Sequence, residues 1–95
     1  MYIMVLHEIA NPEAFWKKGL ELLDTIPTDM HLHHTFSTPD GTRAVCIWEA
    51  EGIDPLKNLV TPMFSGMSFD TFLVANNKEG IVGPPQFVEP PVVAV

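Results

Sequence analysis

The chain has 95 residues, a formal net charge of −7, and 46% apolar residues against 18% charged. That length fits one domain with a limited core, and its five basic residues, Lys17, Lys18, Arg43, Lys57 and Lys78, form no stripe, which argues against nucleic acid and anionic membrane as partners. A charged share this far below the roughly 25% of an average domain predicts apolar surface hidden in an interface, and dimerisation would enlarge the core.

Tyr2 to Ile9 is rich in strand formers and apolar on both faces, the pattern of a central strand covered on both sides. Met1 leads into it with no basic segment, and no apolar run approaches the ~20 residues of a membrane helix, so a cytoplasmic protein is expected. Asn11-Pro12-Glu13 supplies a helix cap, a proline at the first helical position and an acid in the first turn. Trp16, Gly19, Leu20, Leu23 and Ile26 then recur at helical spacing, and the helix is expected to stop near Ile26-Pro27.

Met30 to Ser37 and Thr42 to Glu51 read as two strands joined by Thr38-Pro39-Asp40-Gly41, a hairpin turn signal. With Thr38 opposite Thr42, His34 faces Cys46, Leu32 faces Trp48, His33 faces Ile47 and His31 faces Glu49; a bulge at Gly41 would shift this register by one. Asp54-Pro55 starts a second helix with an apolar stripe of Leu56, Leu59, Val60 and Met63, shortened or kinked by Pro62. Phe69 to Ala75 is the fourth strand, closing at Asn76 to Gly80. The domain thus spans 1–80, and 81–95, with four prolines and five valines, reads as an extended arm packed along a neighbouring protomer.

The βαββαβ order, with its central apolar first strand and a hairpin between the second and third, resembles the ferredoxin-like fold and, within it, the dimeric α+β barrel group. The resemblance covers about residues 1 to 78. It implies an α+β domain with an antiparallel four-stranded sheet and two helices on one face. It also implies a homodimer whose pocket lies between sheet and helices or within the barrel. The group includes cofactor-free monooxygenases, haem-degrading enzymes, isomerases, ligand-sensing domains and small nickel-binding proteins, so fold alone assigns no activity. The second helix has no histidine for a haem-degrading enzyme. Arg43 to Glu49 lacks the glycine and paired aromatics of an RNA-recognition strand, and one cysteine cannot make a heavy-metal Cys-x-x-Cys loop.

His31-Leu32-His33-His34 carries three of the four histidines on one strand. His31 and His33 share a face about 6–7 Å apart, together with Thr35, Arg43, Val45, Ile47 and Glu49 in the expected register. A carboxylate beside an imidazole fixes its tautomer and raises its basicity, the arrangement of general-base and metal sites alike. His31, His33 and Glu49 are therefore the candidate catalytic residues, a histidine taking a proton from an acidic carbon while Glu49 orients it. They are also the candidate ligands if the chain binds nickel or zinc. The same side chains have a plain role as solvated or cross-strand hydrogen-bonded groups. The opposite face, Met30, Leu32, His34 and Phe36 against Ala44, Cys46, Trp48 and Ala50, reads as core, with Cys46 buried and inert. Trp48, His7, Met63 and Phe64 are candidate ligand-binding residues, Trp48 as a wall under the helices and Met63 and Phe64 as an adaptable apolar rim. The expected function is a homodimeric small-ligand-binding protein with no required cofactor. The alternatives are a cofactor-independent monooxygenase or isomerase and a divalent-metal binder.

Overall fold

The structure, a computed structural model, describes residues 1–75. The arm expected at 81–95 and the expected domain end at residue 80 lie outside that range. The elements run β1 (Tyr2–Ile9), α1 (Pro12–Leu23), β2 (His31–Ser37), β3 (Arg43–Glu49), α2 (Ile53–Met63) and β4 (Ser68–Val74). They form one antiparallel sheet in the order β2-β3-β1-β4, the ferredoxin-like arrangement. Among the described residues no helix is long and apolar enough to cross a membrane.

Strand alternation sorts the sheet into two unlike faces. Ile3, Val5, His7 and Ile9 of β1 and Ala44, Cys46 and Trp48 of β3 point under the helices and are buried. They pack with Phe15 and Leu22 of α1, Leu56 and Val60 of α2, and Phe64 just beyond it. Among the described residues no helix covers the other face, where Met4, Leu6, Val45 and Ile47 are half-buried while Phe36 and Phe69 are 65% and 70% exposed. Among the described residues, β1 is covered on its helix side.

Helix α1 starts as its sequence predicts, with Asn11 Oδ1 accepting from the Ala14 N–H and Pro12 in the first turn. It ends three residues early. The Thr25 hydroxyl and N–H both donate to the Leu22 carbonyl, closing the helix before Pro27 is reached. Its buried residues are Phe15 and Leu22, whereas Leu20 and Leu23 of the expected stripe are largely exposed. The helix is thus rotated from its expected face, because Phe15 stacks on Phe64 at 4.3 Å between ring centroids. The Trp16 Nε1–H donates to the Gly41 carbonyl, tying α1 to the hairpin. Gly41 has φ +74°, and a Cβ there would lie 3.0 Å from Trp16 Nε1, so glycine is required on both counts.

Helix α2 begins at Ile53 behind Gly52, without a side-chain cap, so Pro55 falls inside the first turn and Asp54 contributes its charge there instead of capping. Pro62 lies in the last turn, so the ladder bond its missing N–H removes is at the end of the helix, which closes one residue later at Met63. Leu56 and Val60 are fully covered, with Leu59 and Met63 packed beside them as the stripe predicts.

The hairpin register is the main correction. Thr38 pairs with Arg43, not Thr42, because the turn takes one residue more: the Gly41 N–H closes on the Thr38 carbonyl and Asp40 accepts from Thr42. Pairs near the turn are therefore shifted by one, with His34 opposite Ile47, Thr35 opposite Cys46 and Phe36 opposite Val45. A bulge between Leu32 and His34, with His33 as the extra residue, then restores Leu32 opposite Trp48 and His31 opposite Glu49. His34 and Phe36 leave the expected core face for the open face, and Thr35 turns toward the helices.

Candidate functional site

Two groups of chemistry-bearing side chains result, one on each face of the sheet. At the open corner, the His33 Nε2–H donates to Glu49 Oε1 at 3.0 Å, and the same ring stacks on Tyr2 with centroids 5.3 Å apart and planes 6° apart. The His31 ring is 6.2 Å from it. His33 is the extra residue of the bulge, and from there its ring reaches Glu49 on β3. The His33 hydrogen bond, helped by the nearby His31 and N-terminal charges, holds the Glu49 carboxyl below its ordinary range. In His33→Ala the Glu49 titration, followed by carboxyl NMR, is expected to move back up toward the ordinary carboxylate range. Both partners are open to water, so this is a screened surface pair. Among the described residues no group of three or more His, Cys, Asp or Glu side chains is arranged to hold a metal ion. His31, His33 and Glu49 are neighbours, but they do not converge on one point.

Under the helices lies the second group. The His7 Nδ1–H donates to Asp70 Oδ1 at 2.6 Å, and the Ser68 hydroxyl donates to the same oxygen at 2.7 Å. The residues meet because β1 and β4 pair His7 directly opposite Asp70. His7 is only 4% exposed, with Phe15 and Phe64 edge-on against its ring at 5.0 and 5.8 Å. Burial works against a charge on this imidazole. The Asp70 hydrogen bond, with a contribution from Cys46 on the neighbouring strand, outweighs it and lifts the pKa from 6.5 to about 9. At neutral pH His7 is therefore an imidazolium on an Asp70 carboxylate.

His7 faces a cleft of about 180 Å³ between α1 and the sheet. Trp48, Cys46, Val60 and Phe64 form its inner wall, and Phe15, Trp16 and Leu22 its helix side. Leu20, Leu23 and Thr35, all exposed, stand at the mouth. Gly19 also lines it, and a Cβ there would meet no atom within 4 Å. The cleft exists because α1 rests on Phe15 and Leu22 at one edge and presents a glycine where a side chain would fill the gap. Thr35 Oγ1 and Cys46 Sγ share a 3.5 Å hydrogen bond on the sheet side.

Of the residues expected to bind a ligand, His7, Trp48 and Phe64 line this cleft, while Met63 packs against the core beside it. Asp70 and Thr35 were not foreseen. An aspartate in step with Ser68 and Phe72 on the inward face of β4 was the available signal, since a carboxylate so placed needs a buried partner. Thr35 could not be read, because its face depends on the turn length. Comparison with protein-family models, with curated proteins and with solved structures found no match.

Proposed function

We propose that the protein binds a small apolar molecule, about the size of one aromatic ring, in the cleft between α1 and the sheet. The observation that carries this reading is the cleft itself, about 180 Å³ and lined by apolar groups with the His7 ring as its main polar feature. A dry cavity of about 150 Å³ admits benzene. The imidazolium adds one strong donor for a carbonyl, phenol or carboxylate oxygen on the ligand, the usual pairing of apolar contact with a single orienting group.

The reading is tested by calorimetric titration of benzyl alcohol or 4-hydroxybenzaldehyde. Saturable one-site binding is expected in the wild type, with a loss of at least about tenfold in Gly19→Phe, whose side chain occupies the gap. Equal affinity in a folded Gly19→Phe variant would remove the cleft as the site.

The protein is further proposed to act as a homodimer joined through the open sheet face. Support comes from Met4, Leu6, Phe36, Val45, Ile47, Phe69 and Leu73, which lie together on that one face, the kind of apolar grouping that marks an interaction surface. Light scattering is expected to give twice the 10.6 kDa chain mass, falling to one chain in Phe69→Asp. A wild-type monomer at about 100 μM would reject the dimer.

A further inference from the structure

His7 is almost wholly buried, yet the fold uses only one of its two ring nitrogens. Its Nδ1–H is committed to Asp70, whose Oδ1 also accepts from the Ser68 hydroxyl. Among the described residues nothing accepts from the Nε2–H, and no buried side-chain N or O is left without a partner, so this N–H opens on the cleft that the ring lines. The other polar side chains there are engaged: Thr35 Oγ1 and Cys46 Sγ share one hydrogen bond, and the Trp16 Nε1–H is held by the Gly41 carbonyl. Among the described residues the cleft thus offers one free, charged donor against apolar walls.

We propose that the cleft takes its ligand as an oxyanion whose charge is delocalised into a conjugated ring or chain, an ionised acidic phenol or enol seated on the His7 Nε2–H. The inference rests on the cleft being a ligand site, and it adds the chemical class and charge state of the ligand. An imidazolium donates from both nitrogens and accepts at neither. A neutral phenol placed on it keeps an O–H that must find an acceptor among apolar walls, whereas the phenolate has lost that proton and presents only lone pairs. A carboxylate fits less well, because it brings two charged oxygens to one donor and leaves the second unpaired in apolar surroundings. A phenolate or enolate has one oxygen and shares its charge with carbon, so one charge-assisted bond serves it.

Burial by itself favours the neutral form of a phenol. The same contest is settled within His7, where burial opposes the charge and the hydrogen bond to the oppositely charged Asp70 outweighs it. Asp70 bonds the other nitrogen of the ring, so a ligand oxygen on Nε2 meets the imidazolium first and the carboxylate only across the ring. Asp70 is therefore a positioning residue, which keeps the ring charged and holds it by Nδ1 with Nε2 toward the cleft. The charged and titratable groups facing His7 are Asp70 from β4 and Cys46 from β3, and the residues against it from α1 and the end of α2 are Phe15 and Phe64.

The test follows 4-nitrophenol, of which only the anion is yellow, in the presence of saturating full-length chain. The bound phenol is expected to ionise at least about one pH unit below the free phenol, a preference of about tenfold for the anion, seen as colour appearing when protein is added at about pH 6. 4-Nitrotoluene, the same shape without the hydroxyl, is expected to bind at least about tenfold more weakly at about pH 7. The colour change is lost in Gly19→Phe, which fills the gap, and in His7→Gln, which removes the charge. In Asp70→Asn it shrinks while the His7 titration, read by ring-proton NMR, drops from about 9 toward 6.5, a change that loosened packing alone would not give. Should the His7 and Asp70 variants not fold, the two probes on the wild type still decide. A bound 4-nitrophenol that ionises at the same pH as the free phenol, or at a higher one, overturns the proposal. Benzyl alcohol separates the two readings: its binding without a shift in 4-nitrophenol removes the oxyanion and keeps the ligand site, whereas binding of neither compound removes both.

Discussion

Asp70→Ala is expected to destabilise the domain by about 3–5 kcal/mol at a pH near 6.5, measured as the shift in urea midpoint at unchanged m value. The carboxylate is the counter-ion of an almost fully buried His7 ring. Without it the ring is either a charge with no partner or a neutral group with Nδ1 unsatisfied, and both are costly in an apolar surrounding. The wild-type protein carries a matching pH signature. Because folding raises the His7 pKa from 6.5 to about 9, the folded state binds the proton more tightly than the unfolded one. The resulting stabilisation is fully present below about pH 6.5 and is lost as pH rises through about 9, for a total of about 3 kcal/mol. The gap between wild type and Asp70→Ala therefore narrows on the alkaline side without closing, since a neutral imidazole still donates to Asp70. Wild-type stability that stays flat from about pH 6.5 to 9.5 would contradict the buried ion pair.

Trp48→Ala carries the other large effect, an expected loss of about 3–5 kcal/mol. Trp48 is 1% exposed and is the largest fully buried side chain. It pairs with Ile3 on one side and Leu32 on the other, so it ties β3 to both neighbouring strands beneath α1. A domain of this size has about 5–15 kcal/mol in total, so the variant is expected to be close to unfolding at room temperature. Trp48→Phe keeps the ring and is expected to lose less. Trp48 also walls the cleft, so its reduction should widen the range of ligands, with naphthol-sized probes gaining affinity relative to benzyl alcohol in Trp48→Phe. Denaturant titration of both variants checks the first part and calorimetry of Trp48→Phe the second. A loss under about 1 kcal/mol in Trp48→Ala would mean that the core closes without it.

Element order and the start of α1 were readable from local chemistry. Asn11-Pro12-Glu13 marks the start of α1, and the run of strand formers from Tyr2 to Ile9 gives β1, because caps and strand preference depend on residues within one turn or one pleat. The pairing of His31 with Glu49 was also readable, though for an incomplete reason. The turn is one residue longer than its sequence implies, and the bulge at His33 cancels the shift before His31 is reached. Between those two irregularities every side chain changes face, which is why Thr35, His34 and Phe36 are all found on faces opposite to those expected.

The candidate site divides along the same physical boundary. His31, His33 and Glu49 come from one hairpin, and a hairpin is local enough for sequence to bring its residues together. His7 and Asp70 are 63 positions apart, and Cys46 comes from a third strand. Their meeting depends on strand order and on which faces the helices cover, and neither is a property of any short segment. The vacancy at Gly19 is of the same kind. A glycine in a helix states only that a side chain is missing, and it becomes a cleft because α1 leans on Phe15 and Leu22 and leaves that gap over Trp48. Composition, caps and periodicity thus suffice for the βαββαβ domain and its apolar excess, since each acts over a few residues. The buried ion pair, the cleft and the thiol beside them arise from long-range packing, where one residue of register decides whether a side chain faces water or the interior.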